Sequence, residues 1–200
     1  MSRPVVVFVG DSITDCDRRT DPSGLGDGYV RQLALAPELR GFDVRNRGIA
    51  GDRAVDLERR WAEDVLAAEP ALVSILVGVN EVWRRFDSGD PTSPEAFAGV
   101  YRRLLEPLAT NRLVLVEPFL LPVNEEQASW LEDLDGKRRV VRTLARGVGA
   151  TFVPAHDSLT ALGDPHGLAP DGVHPSAAGH RELAALWLRE AGSVLAAIPR

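Results

Sequence analysis

Two short segments at opposite ends of the chain carry residue types that together could cleave an acyl bond. Gly10-Asp11-Ser12-Ile13-Thr14 follows an apolar run and presents a hydroxyl on a glycine-led turn. Asp171-Gly172-Val173-His174-Pro175 sets a carboxylate three residues ahead of an imidazole. A nucleophilic serine needs exposure on a turn, a base within hydrogen-bond reach and donors aimed at the developing oxyanion. Gly10 permits the turn, and a serine at a helix N-terminus keeps its own amide unpaired. Asp171 can orient one ring nitrogen of His174 while the other faces a neighbouring hydroxyl. Each segment also has a plainer reading: Asp11 or Ser12 as a helix cap, and His174 as a solvated loop histidine beside an acid.

Two further clusters could supply the donors. Asn46-Arg47-Gly48-Ile49-Ala50-Gly51-Asp52 contains glycines that let a backbone N–H approach a ligand closely. Gly78-Val79-Asn80-Glu81 offers the Asn80 amide to an oxyanion. Taken singly, each is an ordinary turn after a strand. Together the four segments supply a nucleophile, two or three donors and a base with its orienting carboxylate.

Such a site requires elements that bring the four segments to one edge. Val5–Val9, Leu72–Val77 and Leu113–Val116 are short, continuous apolar runs that read as buried strands, with weaker candidates at Phe42–Arg45 and Thr151–Val153. Between them, Val55, Leu57, Trp61, Val65 and Leu66 recur at helical spacing before Pro70, which places Trp61 in the core. Similar patterns run over Pro94–Leu108, Glu126–Val148 and Ser176–Ala191, the last with Gly192 after it. Apolar strands alternating with amphipathic helices imply a parallel sheet covered on both faces, a three-layer α/β/α architecture in a single domain over residues 1–200. Ligands gather at the carboxyl ends of such strands. The loop-rich stretches at Asp15–Gly28, Phe86–Ser93, Pro118–Glu125 and Gly163–Pro175 are therefore where chemistry is expected.

Composition removes several function classes. The 200 residues include 23 basic and 29 acidic side chains, a net charge of −6, with no basic stripe, so nucleic acid and anionic membranes are not expected partners. Cys16 is the single cysteine, which excludes an internal disulfide or a CxxC zinc site and suits the cytoplasm. The early apolar run of five residues is too short for a signal-peptide core, so the chain is expected to start near Met1. The acid-rich Asp11, Asp15, Asp17, Asp21 run lacks the glycine and glutamate of a calcium loop. Gly24-Leu25-Gly26-Asp27-Gly28 lacks dinucleotide-binding spacing, and neither a metal nor an organic cofactor is expected. His156-Asp157 beside Ser158 is a competing dyad by residue type, although adjacent residues rarely point at a common substrate.

The four blocks, in this order and spacing and over almost the whole chain, resemble those of the SGNH (GDSL-type) hydrolases. That family of esterases and lipases has a flavodoxin-like α/β/α fold on a five-stranded parallel sheet. The resemblance implies that Ser12 is the nucleophile, that the Ser12 amide, Gly51 and Asn80 form the oxyanion hole, that His174 is the base and that Asp171 orients it. The third block departs from the usual pattern by ending in Glu81 instead of aspartate. Longer phrases are similar to intracellular acetylxylan esterases of the family: Gly10–Cys16, Gly28–Val30, Arg59–Val65, Asn80–Arg84 and Val173–His180. In those relatives an aromatic commonly precedes the catalytic aspartate, whereas Pro170 stands here.

The expected activity is thus a serine esterase that removes acetyl groups from a xylo-oligosaccharide-like ester, with Asp11, Trp83 and Arg84 contacting substrate. An aromatic face and a polar arm suit a sugar-binding cleft, although Trp83 could equally be core. The resemblance also points to a homo-oligomer. The alternatives are a broad short-chain carboxylesterase, thioesterase or lysophospholipase-like acyl hydrolase, and a non-catalytic carbohydrate-binding protein.

Overall fold

Along β1 (Val5–Gly10) the side chains divide between two cores. Val6 and Phe8 pack into one cluster and Val7 and Val9 into the other. A strand buried on both faces shows no polar side, which is why its sequence is continuously apolar. In the computed structural model, which describes residues 3–109 and 111–199, β1 is the second strand of a five-stranded sheet. Met1, the expected start, lies outside the described residues.

The other strands are β2 (Asp43–Gly48), β3 (Leu72–Leu76), β4 (Arg112–Val116) and β5 (Thr151–Val153). All pair in parallel, in the order β2-β1-β3-β4-β5. This is the flavodoxin-like order, and the chain reverses its direction of travel between β1 and β3, which opens a crevice beyond their carboxyl ends. Register sets Gly10 against Gly48 on one side and against Leu76 on the other. The loops after three strands therefore leave the sheet at one level.

The helices are α1 (Ser12–Asp15), α2 (Tyr29–Leu35), α3 (Ala54–Asp64), α4 (Val79–Asp87), α5 (Pro94–Leu105), α6 (Glu125–Ser129), α7 (Leu131–Val148), α8 (Ala155–Thr160), α9 (Pro165–Leu168) and α10 (Ala177–Ala196). On one face, α2 and α10 bury Tyr29, Leu33, Leu183 and Trp187. On the other, α3, α5 and α7 bury Leu57, Trp61, Phe97, Tyr101 and Val141. Trp187 Nε1 donates to Ser74 Oγ at 2.9 Å, so the one polar side chain of β3 meets a buried donor.

The three-layer expectation holds, and the differences are local. The expected turn Gly78–Glu81 instead opens the helix α4, which runs to Asp87, two residues into the expected loop Phe86–Ser93. The helix expected over Glu126–Val148 is broken into α6 and α7 at Trp130, whose ring is buried between Trp83 and Phe86. Helix α10 runs through Gly192, because burial of Ala191 and Leu195 on either side of it outweighs the roughly 1 kcal/mol that glycine costs in a helix relative to alanine. Among the described residues, no helix is long and apolar enough to cross a membrane.

Candidate active site

The turn after β1 is built around Asp11. Its Oδ1 accepts the Ile13 N–H at 3.0 Å and caps α1. Ser12 opens the helix, so its N–H has no intrahelical acceptor. Asp11 itself is 1% exposed, which corrects the expectation that it contacts substrate: the side chain lies beneath the cleft, turned into the protein by its capping bond. Burial raises its carboxyl to about 8, against the Ile13 bond and with the charge of Glu81 reinforcing the shift.

Ser12 Oγ lies 2.9 Å from His174 Nε2, and His174 Nδ1 lies 2.6 Å from Asp171 Oδ2. The aspartate's other oxygen accepts the N–H groups of Val173 (3.0 Å) and His174 (2.7 Å). Burial pushes the Asp171 carboxyl up, but these hydrogen bonds outweigh it and hold the group below its ordinary value. An ionised carboxylate only accepts, so the ring proton sits on Nδ1 and the bare Nε2 accepts from the Ser12 hydroxyl. The turn is fastened from behind by Gln127, whose amide donates to the Asp171 carbonyl at 2.6 Å while its oxygen accepts the Val123 N–H. Gly172 (φ +83°) leaves no room for a side chain against Gln127.

The other two expected donors lie on the loop after β2 and at the start of α4. Gly51 (φ +86°) is exposed at the tip of the loop after β2. That loop is held by Ala50 N–H on Asp15 Oδ2 (2.9 Å) and by Ile49 N–H on the Gly10 carbonyl (3.0 Å). Asn80 lies in the first turn of α4 and gives one amide hydrogen to the Asp52 carbonyl at 2.9 Å, leaving its second hydrogen for a ligand. The unusual Glu81 is buried, accepts the Ala54 N–H at 2.6 Å and so caps α3. Burial raises it to about 7, partly offset by that same bond.

The cleft beside Ser12 and His174 holds about 420 Å³ and is walled by Cys16, Arg19, Ala50 and His180. His180 Nδ1 accepts the Tyr29 N–H at 3.2 Å, which leaves Nε2–H to meet Cys16 Sγ at 3.5 Å. Burial lowers this histidine to about 4, so it stays neutral. Trp83 is half-buried and its ring centre lies 5.9 Å from that of His174, so it joins the site. Arg84 instead ion-pairs with Asp87 one turn on and does not line this cleft.

The rival triple separates in space. His156 is buried at the start of α8, Asp157 pairs with Arg138 and Arg142, and Ser158 lies in a different depression. Sequence reasoning missed Gln127, Asp15, Asp52 and Arg60. Asp15, Asp52 and Arg60 did lie inside segments singled out there, Gly10–Cys16, Asn46–Asp52 and Arg59–Val65, but without these roles; Gln127 carried no signal.

The chain is similar to known proteins over nearly its whole length. A family model described as GDSL-like Lipase/Acylhydrolase matches residues 8–182. An acetylxylan esterase of Geobacillus stearothermophilus is 38% identical over 209 residues, covering 94% of this chain and 93% of that protein. Two catalytic mutants of an acetylxylan esterase from that organism, with a serine or an aspartate replaced by alanine, have solved structures. They are 36% and 33% identical to this chain, cover 94% of both chains in each case, and superpose with TM-scores of 0.84 and 0.86. An alpha/beta hydrolase enzyme from the metagenome of Lake Arreo, Spain, is 29% identical over 96% of both chains, with a TM-score of 0.84.

Proposed function

The chain belongs to the GDSL-like lipase/acylhydrolase family and is a carboxylic ester hydrolase; from that premise we propose that it removes acetyl groups from acetylated xylo-oligosaccharides. The observation that carries the proposal is the hydrogen-bonded line Ser12–His174–Asp171 at the switch point of the sheet. The similar acetylxylan esterase supports the choice of acyl group and sugar. So does the size of the cleft, which suits one short acyl group and a sugar ring better than a long chain.

In this mechanism Ser12 attacks the acetyl carbonyl as His174 Nε2 takes its proton. The amides of Ser12 and Gly51, with the free hydrogen of Asn80, receive the oxyanion. His174 then returns the proton to the departing sugar hydroxyl, leaving an acetyl-serine. Water, deprotonated by the same imidazole, releases acetate and regenerates Ser12. Asp171 stays ionised and stabilises the imidazolium formed in each half-reaction. Trp83 lies against His174, where its ring can guide the sugar. We extend the proposal to a single-domain cytoplasmic enzyme, supported by its lone cysteine, and to a homo-oligomer, supported by the family resemblance alone.

The test compares kcat/KM for acetylated xylo-oligosaccharide with that for aryl acetate, butyrate and octanoate, in the wild type and in Ser12→Ala. Preference for the sugar acetate, abolished in the variant, is the expected result. Faster cleavage of longer acyl chains would keep Ser12 and overturn the substrate. Full activity in Ser12→Ala would overturn the mechanism.

A further inference from the structure

We propose that Asp52 and Arg60 form a clamp that holds the oxyanion donors in mutual register, acting as positioning residues for the ester hydrolysis. This rests on the assignment of Ser12, Gly51 and Asn80 as those donors. Each comes from a different loop, after β1, β2 and β3; Ile49 N–H on the Gly10 carbonyl and Ala50 N–H on Asp15 tie the first two loops near their roots, but neither bond reaches Asp52 or Asn80. Their spacing must nevertheless be kept within about half an ångström for an oxyanion to meet all of them.

Arg60, on α3, reaches the backbone at the ends of β1 and β2. Its Nε donates to Asp52 Oδ2 at 2.8 Å, its Nη1 to the Arg47 carbonyl at 2.7 Å and its Nη2 to the Gly10 carbonyl at 3.3 Å. Nη1 also pairs with Asp64 on the same helix. The Gly10 carbonyl ends β1 two residues before Ser12, and Arg47 lies in β2 just before the glycine loop. Asp52 follows Gly51 directly, and its backbone carbonyl accepts the amide of Asn80. The Arg60 guanidinium therefore holds the backbone leading to Ser12 and to Gly51, and its partner Asp52 carries the link on to Asn80 through its backbone carbonyl.

Both side chains are largely covered, at 16% and 15% exposed, so the pair is shielded from the screening that makes surface ion pairs weak. Only arginine supplies several donors in a fixed fork. Lysine at this position would satisfy Asp52 or the carbonyls, but not all at once.

The experiment uses Asp52→Asn and Arg60→Lys in the full chain. Active sites are first counted by titration with a fluorophosphonate. Then kcat per titrated site and KM are measured on phenyl acetate, together with Ki for phenylboronic acid, whose tetrahedral serine adduct uses the same donors. The clamp predicts that kcat per site falls about ten- to hundredfold, as a small misplacement of catalytic groups does. KM should stay within about twofold, and Ki should rise in proportion to the loss of kcat. Wild-type kcat per site and wild-type Ki, with only the titratable fraction or the Tm reduced, would overturn it and leave a purely structural pair. If Asp52→Asn does not fold, Arg60→Lys reads the same ratios. Failure of the underlying assignment is separately visible: fluorophosphonate would not label the wild type, or would label Ser12→Ala equally.

Discussion

Asn80 holds the Asp52 carbonyl with one amide hydrogen, and in the proposed mechanism the other meets the oxyanion. Asn80→Ala is expected to lower kcat by about 10²–10³, as loss of one such donor does, with KM for aryl acetate little changed because the interaction forms only with the tetrahedral state. Steady-state kinetics decide it, and an unaltered kcat removes Asn80 from the hole. Asp171→Asn replaces an acceptor with a donor facing His174 Nδ1. The ring is then driven to the opposite tautomer, and kcat should fall by about 10⁴ with the fold intact. A loss below about tenfold would show that the carboxylate is not what sets the ring proton. Ser12, Asp171 and His174 were legible in the sequence because a reacting group must sit on a strand-end turn, and such turns leave glycines and short polar runs. Gln127 was not, since a glutamine on a helix announces nothing until folding sets it behind the Asp171 carbonyl. Asp11 was misassigned for a related reason: a carboxylate beside a nucleophile looks like a substrate contact, and only packing reveals it as a buried cap.

Helix α4 illustrates what element-level reading misses. Its first residues, Gly78-Val79-Asn80, have the types of a turn, and it spans only Val79–Asp87, too short for a helical period to stand out. Strands β1, β3 and β4 were readable because burial on both faces forces apolar runs, whereas the edge strand β2, with Asp43, Arg45, Asn46 and Arg47, shows no such run and extends to Gly48, through residues expected as a turn. What starts α4 at the right angle is Gly78, with φ +140° and a hypothetical side chain only 2.9 Å from the Pro118 ring. Gly78→Ala should therefore destabilise the fold by about 1–3 kcal/mol and, by tilting the helix that carries Asn80, lower kcat as well. Gly89→Ala is the matched comparison: its φ is also positive, at +66°, but nothing lies within 4 Å of the added carbon. Urea unfolding and kinetics on both variants test the pairing, and equal kcat in the two would detach α4's geometry from catalysis.

At the scale of the molecule, two buried carboxyls make stability depend on pH. Asp11 and Glu81 are raised by burial from ordinary values of 3.8 and 4.5 to about 8 and about 7. A raised carboxyl binds its proton more tightly in the native state. Its stabilisation is complete below the unfolded pKa near 4 and is lost as pH climbs through 7 and 8. His180 works in the opposite sense, lowered by burial from 6.5 to about 4. Its contribution is present above pH 6.5 and is lost as pH falls toward 4, because the unfolded imidazole takes up the proton first. Burial lowers His156 as well, with the same sign. Above about pH 6.5 both histidines are neutral in both states, so the carboxyls govern the slope and Tm should fall steadily from about pH 6.5 to about pH 9. Glu81→Gln, which keeps an oxygen for the Ala54 N–H but cannot ionise, should flatten that slope. Calorimetry across the range checks both, and a wild-type Tm that is level or rising between those limits would mean that neither carboxyl holds its proton in the folded protein.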